Sequence, residues 1–314
     1  MRQLLFKFTL LCCIYGLFIS AVFGKNFVTI KNQSVLLNNG IIEREIIFKD
    51  GNIQTTFLKI KGSDINFISE IAEEFSLYIN NNYLNGQSSW ELISITKTTD
   101  NHQGSGATIK LQGTKIFSGI EIDLSYLLYP ELPVIRKRID IINNSEHEIM
   151  LESLDIEKLI LEFHFVNAVA YTNYARHKHL STYIGDWDDA VVAIHSYTHN
   201  AGILLGNESP GVLKRTAFNT KYNNVEIGLT HKEDSYPFRK YIKNGDKWKS
   251  PSVFIIPYID SPDPTQVKNT SLADFVRKHL TLRIFQDQIN RPQIMYNHWV
   301  PFRDKINDTI IMEL

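Results

Sequence analysis

Cysteine is nearly missing from this 314-residue chain: the two present, Cys12 and Cys13, both fall in its first 24 residues. If those residues are removed on export, none remains, which excludes a disulfide scaffold, thiolate metal sites and a cysteine nucleophile. A dominant charge is missing too. Lys and Arg total 33 against 34 Asp and Glu, a formal net charge of −1, so no global positive field recruits nucleic acid or anionic lipid. With 16 Gly, 10 Pro and 43% hydrophobic residues, the composition fits neither a collagen-like, a low-complexity nor a disordered chain. No G-x-S-x-G elbow, phosphate loop or H-E-x-x-H occurs, which leaves serine-hydrolase, NTPase and zincin chemistry without support.

A comfortable membrane span is absent as well. Arg2 and Lys7 flank an apolar stretch from Leu10 to Phe23 that falls short of the roughly 20 residues a span needs. Val22 and Gly24 stand three and one before Lys25, the pattern of a secretory signal cleaved at that point, with Ala21 offering a second cut. Neither cysteine follows the small residue a lipoprotein box requires. The expected destination is the periplasm or the extracellular space, with no membrane partner.

What is present reads as strand. Ile120, Ile122, Leu124, Tyr126 and Leu128 alternate with Glu121, Asp123 and Ser125, the period of two of a strand with one buried face. Leu159, Leu161, Phe163 and Phe165 alternate likewise, while Val191 to Ile194 and Val253 to Ile256 read as strands buried on both sides. Asn38-Asn39-Gly40 and Lys49-Asp50-Gly51-Asn52 mark hairpin turns. Gly104-Ser105-Gly106 reads as a turn. Two packed antiparallel sheets are expected, giving a mainly β fold. After Asp260-Ser261-Pro262-Asp263-Pro264 the period changes: Leu272, Phe275, Val276, His279 and Leu280 recur at helical spacing behind Ser271, in a helix ending near Arg283. A short apolar strand, Gln293 to Asn297, precedes Ile306, Ile310, Ile311 and Leu314 at helical spacing. The expected organisation is a signal at 1–24, a β domain at 25–265, a helical linker at 266–290 and, at 291–314, the first β-α unit of a second domain that the chain does not complete.

Several residue sets bear on chemistry. His177 and His179 share one face of a strand at a spacing some zinc sites use, without an evident third ligand, and His195 and His199 are neighbours in sequence only. All four are read as ordinary histidines, and no metal or other cofactor is expected. Asp186-Trp187-Asp188-Asp189 after Gly185 combines carboxylates with an indole. It suits a sugar, whose hydroxyls want bidentate acceptors and whose C–H face wants an aromatic plate, or a solvated acidic turn. Five N-x-S/T sequons stand at Asn32, Asn143, Asn207, Asn269 and Asn307.

Three stretches carry a resemblance. Tyr129-Pro130-Glu131-Leu132-Pro133-Val134-Ile135-Arg136-Lys137-Arg138, running into Ile141 to Asn144, and Gly206-Asn207-Glu208-Ser209-Pro210-Gly211-Val212-Leu213-Lys214-Arg215 resemble the N-terminal β-supersandwich of α-galactosidase-type glycoside hydrolases of family 36. Tyr296-Asn297-His298-Trp299-Val300-Pro301-Phe302 is similar to the first strand of that family's catalytic (β/α)8 barrel, where an Asn-x-Trp sequence leads to the sugar pocket. The resemblance implies a galactose-mutarotase-like antiparallel supersandwich, a helical linker and a truncated barrel. It implies an exo-acting, retaining α-glycosidase, whose two carboxylates stand about 5 to 5.5 Å apart, with both catalytic residues beyond Leu314 and none carried here. It also implies an α-linked galactoside or other glycan as partner, contacted through Trp299, Asn297 and His298, with Asp186 and Trp187 on a sandwich loop reaching the barrel mouth. Two alternatives stay open: an exported carbohydrate-binding sandwich without catalysis, and an α-glucosidase-type relative of the same architecture, often with calcium.

Overall fold

The structure, a computed structural model, describes residues 27–69, 72–162, 166–171, 177–180, 182–184, 191–209, 211–219 and 221–280; of the side chains in 163–190 nothing is described. The chain divides into two compact units, Met1–Phe275 and Val276–Leu314. In the first, β1 (Val28–Lys31), β2 (Ser34–Asn38), β3 (Ile42–Lys49) and β4 (Asn52–Ile60) form a four-stranded meander. The hairpin β5 (Glu74–Ile79) and β6 (Asn82–Asn85) joins a second sheet, and β7 (Glu91–Thr99), β8 (Ser105–Gln112), β9 (Ile120–Leu128) and β10 (Ile135–Asn143) build half of a third. The chain then alternates between the two larger sheets through β11 (Ile149–Ile160), β12 (Val166–Tyr171), β13 (His177–Leu180), β14 (Thr182–Ile184), β15 (Val191–Ser196), β16 (Ala201–Asn207), β17 (Lys214–Asn219), β18 (Asn224–Leu229), β19 (Arg239–Ile242) and β20 (Lys247–Tyr258). The result is a nine-stranded sheet, β13-β12-β15-β16-β20-β10-β9-β8-β7, and a seven-stranded array, β14-β17-β18-β11-β5-β6 with β19 also on β11. Placing β20 between β16 and β10 closes the nine-stranded sheet across more than a hundred residues of sequence.

Three sheets thus stand where two were expected. The extra one is the N-terminal meander, whose Val35, Leu37, Ile42 and Ile46 join the same buried cluster as the strands of the larger sheets. Period-two patterning is clearest in β9, where Ile120, Ile122, Leu124, Tyr126 and Leu128 are all buried. Each such side chain contributes about 1.5–3 kcal/mol relative to exposure. β15 and the Val253 to Ile256 run of β20 are buried on both faces as their unbroken apolar sequences require. The Asp50-Gly51 turn pairs Lys49 with Asn52 and holds both central residues at positive φ, 53° and 77°, which only Gly and a few polar residues accept without large cost. The Gly104 stretch departs from its reading. Gly104 donates its N–H to Asp100 Oδ1 at 2.7 Å, but Ser105 and Gly106 already belong to β8 and pair with Leu128 and Leu127.

Helical turns begin at Pro264, ahead of the expected Ser271, with proline at the first helical position where its missing N–H costs nothing. Short α-helical turns at Pro264–Val267 and Ala273–Phe275 flank a wider π-type turn at Lys268–Leu272. Phe275 is fully buried against Phe254 and Tyr129, with ring centroids 4.9 and 5.4 Å away. In the second unit the described residues, Val276–Leu280, form one π-type turn. The expected start of a barrel at 291–314 lies outside the described residues. No helix among the described residues is long and apolar enough to cross a membrane.

Candidate functional site

Trp299, Asn297, His298, Asp186 and Trp187, the residues expected to meet sugar, all lie outside the described residues. What the described part of the molecule shows are two charged assemblies on either side of β11, and a β-bulge separates them. Asp155 pairs with Gly228 and Glu157 with Ile227, so Ile156 is an extra residue on β11. A bulge reverses the facing of the residues beyond it. Glu157 therefore points toward the other two sheets and Asp155 points away.

The inward assembly ties the three sheets together. Arg44 (β3) is 0% exposed; its Nη1 and Nη2 donate to Glu157 (β11) at 3.0 and 2.8 Å, Nη2 also to Glu74 (β5) at 2.6 Å, and Nε to Thr55 (β4) at 2.9 Å. Lys137 (β10) donates to Glu74 Oε1 and Glu157 Oε1, each at 3.1 Å, and to the Glu74 carbonyl at 2.7 Å. Tyr126 (β9) donates to Glu74 Oε1 at 2.6 Å, and its ring lies 5.1 Å from both cationic groups. Two cations balance two carboxylates, and every arginine nitrogen has an acceptor, the condition under which buried charge is tolerated. Glu74 reaches this position through a backbone φ of 67°, a strained conformation for a non-glycine residue that persists only where its surroundings overdetermine it.

Burial pushes the Glu74 carboxyl up, but Arg44 and Lys137, with hydrogen bonds from Tyr126 and Thr55, outweigh it and hold the group below the ordinary carboxylate range. Burial, followed by the Glu74 charge, drives the Tyr126 phenol well above its usual value. A carboxyl that is more acidic folded than unfolded stabilises the fold fully above its unfolded value, about 4.3. That contribution is lost as pH falls toward the native value, because the unfolded chain takes the proton first. The urea midpoint is therefore expected to hold from pH 7 to 5 and to drop below about 4.3, with a shallower drop in Glu74→Gln. A drop of equal steepness in that variant would assign acid sensitivity to other carboxylates.

The second assembly lies on the partly solvated side of the same strands. Register sets it: Asp155 stands opposite Ser76, and Lys158 opposite Glu226. Asp155 is buried, accepting from Ser76 Oγ at 2.6 Å on Oδ2 and facing His231 Nε2 at 2.9 Å on Oδ1. Glu226 Oε2 accepts from Arg215 at 2.7 Å, and Lys158 reaches Glu73 at 3.1 Å and Tyr83 OH at 2.9 Å. Burial lowers the Lys158 ammonium, but Tyr83 and then Asp155 more than reverse this and keep it charged above the ordinary lysine range. Asp155, Glu226 and His231 bring one ligand atom each within 4.8 Å of one another.

The histidines singled out by sequence divide. His177 and His179 face Tyr171 and Val169 in the β13–β12 pairing, at alternate positions of one strand. His195 and His199 do not act together: His195 is buried with Nδ1 3.0 Å from Tyr258 OH, and His199 Nδ1 stands 2.9 Å from Ser196 Oγ. Burial pushes the His195 imidazole below its usual value, against a smaller opposing pull from Asp263. Two sequons prove structural. Asn143 and Asn207 are buried, each spending its amide on two backbone carbonyls.

Neither the family models nor the curated proteins compared with the chain give a match. Solved structures do. An α-galactosidase from Lactobacillus brevis superposes on 90% of this chain and 46% of its own, with a TM-score of 0.66 and 11% identity. A variant of the family 36 α-galactosidase AgaA from Geobacillus stearothermophilus, in complex with stachyose, covers 89% and 47%, with a TM-score of 0.62 and 10% identity. AgaB from the same organism covers 74% and 41%, with a TM-score of 0.58 and 11% identity. The chain spans less than half the length of each. At such low identity the agreement speaks for architecture, and the architecture of this chain is that of the N-terminal, antiparallel β region of glycoside hydrolase family 36 α-galactosidases.

Proposed function

We propose that this chain is the N-terminal, carbohydrate-associated portion of an exported α-galactosidase-like glycoside hydrolase that retains anomeric configuration. One observation carries the reading: about nine-tenths of the chain superposes on under half of two α-galactosidases. The order of the three resembling stretches supports it, since Trp299 and Asn297 then stand where a first barrel strand would offer a sugar platform. A complex with raffinose and one with stachyose among the matching structures support an α-linked galactoside as the ligand class.

The test is nitrophenol release by this chain extended through its downstream reading frame. Preferential cleavage of the α-galactoside over the α-glucoside is expected. Cleavage of the glucoside alone would move the protein to the α-glucosidase relatives, and sugar binding without cleavage would favour a non-catalytic sandwich. Export rests on the basic start, apolar run and small residues before Lys25. Intact mass of the exported protein is expected to lack residues 1–24; a mass that includes Met1 to Phe23 would remove this part of the proposal.

A further inference from the structure

The geometry points to a divalent transition-metal site, of the kind zinc occupies, formed by Asp155 of β11, Glu226 of β18 and His231 just after β18. This goes beyond the glycosidase reading and does not depend on it. A nitrogen and two carboxylates is the donor set that zinc and its first-row neighbours take. Here two donors come from paired strands and the third from the loop after β18, and the three converge within 4.8 Å.

Three features distinguish the trio from a chance gathering of acidic side chains. The first is spacing. Asp155 Oδ1 and His231 Nε2 are 2.9 Å apart, so a metal about 2.1 Å from each would subtend an angle near 90°, the cis edge of an octahedral shell, and the two atoms would part slightly to suit the wider angle of zinc's usual tetrahedron. The second is outer support. Asp155 is held through its other oxygen, Oδ2, by Ser76, while Arg215 holds Glu226 at Oε2, leaving Oε1 with a bond to Asn224 at 3.5 Å and Lys158 at 3.7 Å. The His231 backbone N–H donates to Asp234 Oδ2 at 2.7 Å, which fixes where the imidazole starts. Metal sites need such outer partners to orient their ligands. The third is charge. Among the described residues, the ion pairs of Glu73, Glu226 and Asp234 run to two permanent cations, Lys158 and Arg215, and Asp155 pairs with His231. Four carboxylates against two permanent cations leave an excess of negative charge that a divalent ion would offset.

Access and burial agree. Asp155 is sealed at the bottom of the site, whereas the His231 side chain is 21% exposed, so an ion has a route in and one edge for water. Lys158 stands beside the site, its Nζ 3.5 Å from Ser76 Oγ and 3.7 Å from Glu226 Oε1, with shorter contacts to Glu73 and the Tyr83 hydroxyl.

The experiment uses the whole chain, stripped with chelator and dialysed, and Zn2+ or Co2+ alone as the probe. Calorimetry is expected to show one equivalent of Zn2+ bound and a higher melting temperature with the metal present. Co2+ is expected to give visible d–d absorption that Zn2+ displaces. His231→Gln and Glu226→Gln, each checked for folding by circular dichroism, should weaken binding at least about tenfold, the scale on which lost ligands and their supports act. His177→Ala/His179→Ala is the control for the other histidine pair and should bind like the parent. Absence of stoichiometric binding by the parent would overturn the assignment, as would unchanged affinity in both ligand variants or loss of binding in the His177/His179 variant. Should one ligand variant fail to fold, the other decides.

Discussion

Arg44→Met is expected to lose about 3–5 kcal/mol of folding stability, the range measured when one partner of a buried ion pair is removed. The side chain is fully buried, and its loss strips Glu157 of a bidentate partner and Glu74 of one of its two shortest bonds. Two carboxylates then share Lys137 alone, leaving one uncompensated charge in an environment where water cannot reach it. Methionine fills much of the volume, so a cavity is not the main cost. The comparison is Lys110→Met, which breaks a pair with Glu121 whose lysine is 34% exposed and should change stability by only about 0.2–1 kcal/mol. Urea denaturation of both variants at pH 7 measures the difference. Equal losses would mean that the three-sheet charge cluster is no more than a surface-strength interaction.

No glycosidase turnover is expected from this chain when it is made alone. Retaining hydrolysis needs two carboxyl groups about 5 to 5.5 Å apart, on opposite sides of one sugar ring and open to it. The carboxylates of the two assemblies on β11 fail on one count or the other. Glu74 and Glu157 are sealed between sheets and bonded to the same lysine nitrogen. Asp155 is buried against Ser76 and His231, and Glu226 is engaged by Arg215. The sugar platform proposed at Trp299 could transfer no proton, because an indole face offers no acid or base. Release of nitrophenol from the α-galactoside should stay at the uncatalysed rate. Activity abolished by Asp186→Asn or Asp188→Asn would place the chemistry on the sandwich itself.

Much of the strand architecture was legible because each strand obeys a local rule: β9 alternates, β15 and β20 run apolar, and Asp50-Gly51 accepts a tight turn. The charge clusters were harder. Arg44 falls between Ile42 and Ile46, and Lys137 between Ile135 and Ile139, in the inward register of strands whose other inward residues are apolar. A charged residue in that register is a signal, but its carboxylate partners lie 20 to 113 residues away, and nothing local names them. The facing of Asp155 and Glu157 was beyond reach for another reason. Both have the same parity, and only the bulge at Ile156 sends them to opposite sides. The N-terminal sheet was missed because its strands read the same whether they join a larger sheet or pair only with one another.

The charge cluster also bears on modularity. The four-stranded meander pairs with no strand outside itself, so by hydrogen-bonded topology it looks detachable. Thermodynamically it is not. A fragment ending after β4 would carry Arg44 on its apolar face with neither Glu74 nor Glu157 to meet it, and a chain lacking the meander would leave both carboxylates facing inward with Lys137 alone. Each part is thereby made dependent on the other, and a recombination that exchanged the meander for another would have to bring its own cation to the same register. The apolar contacts between these sheets could be served by many sequences; the arginine ties this meander to this partner.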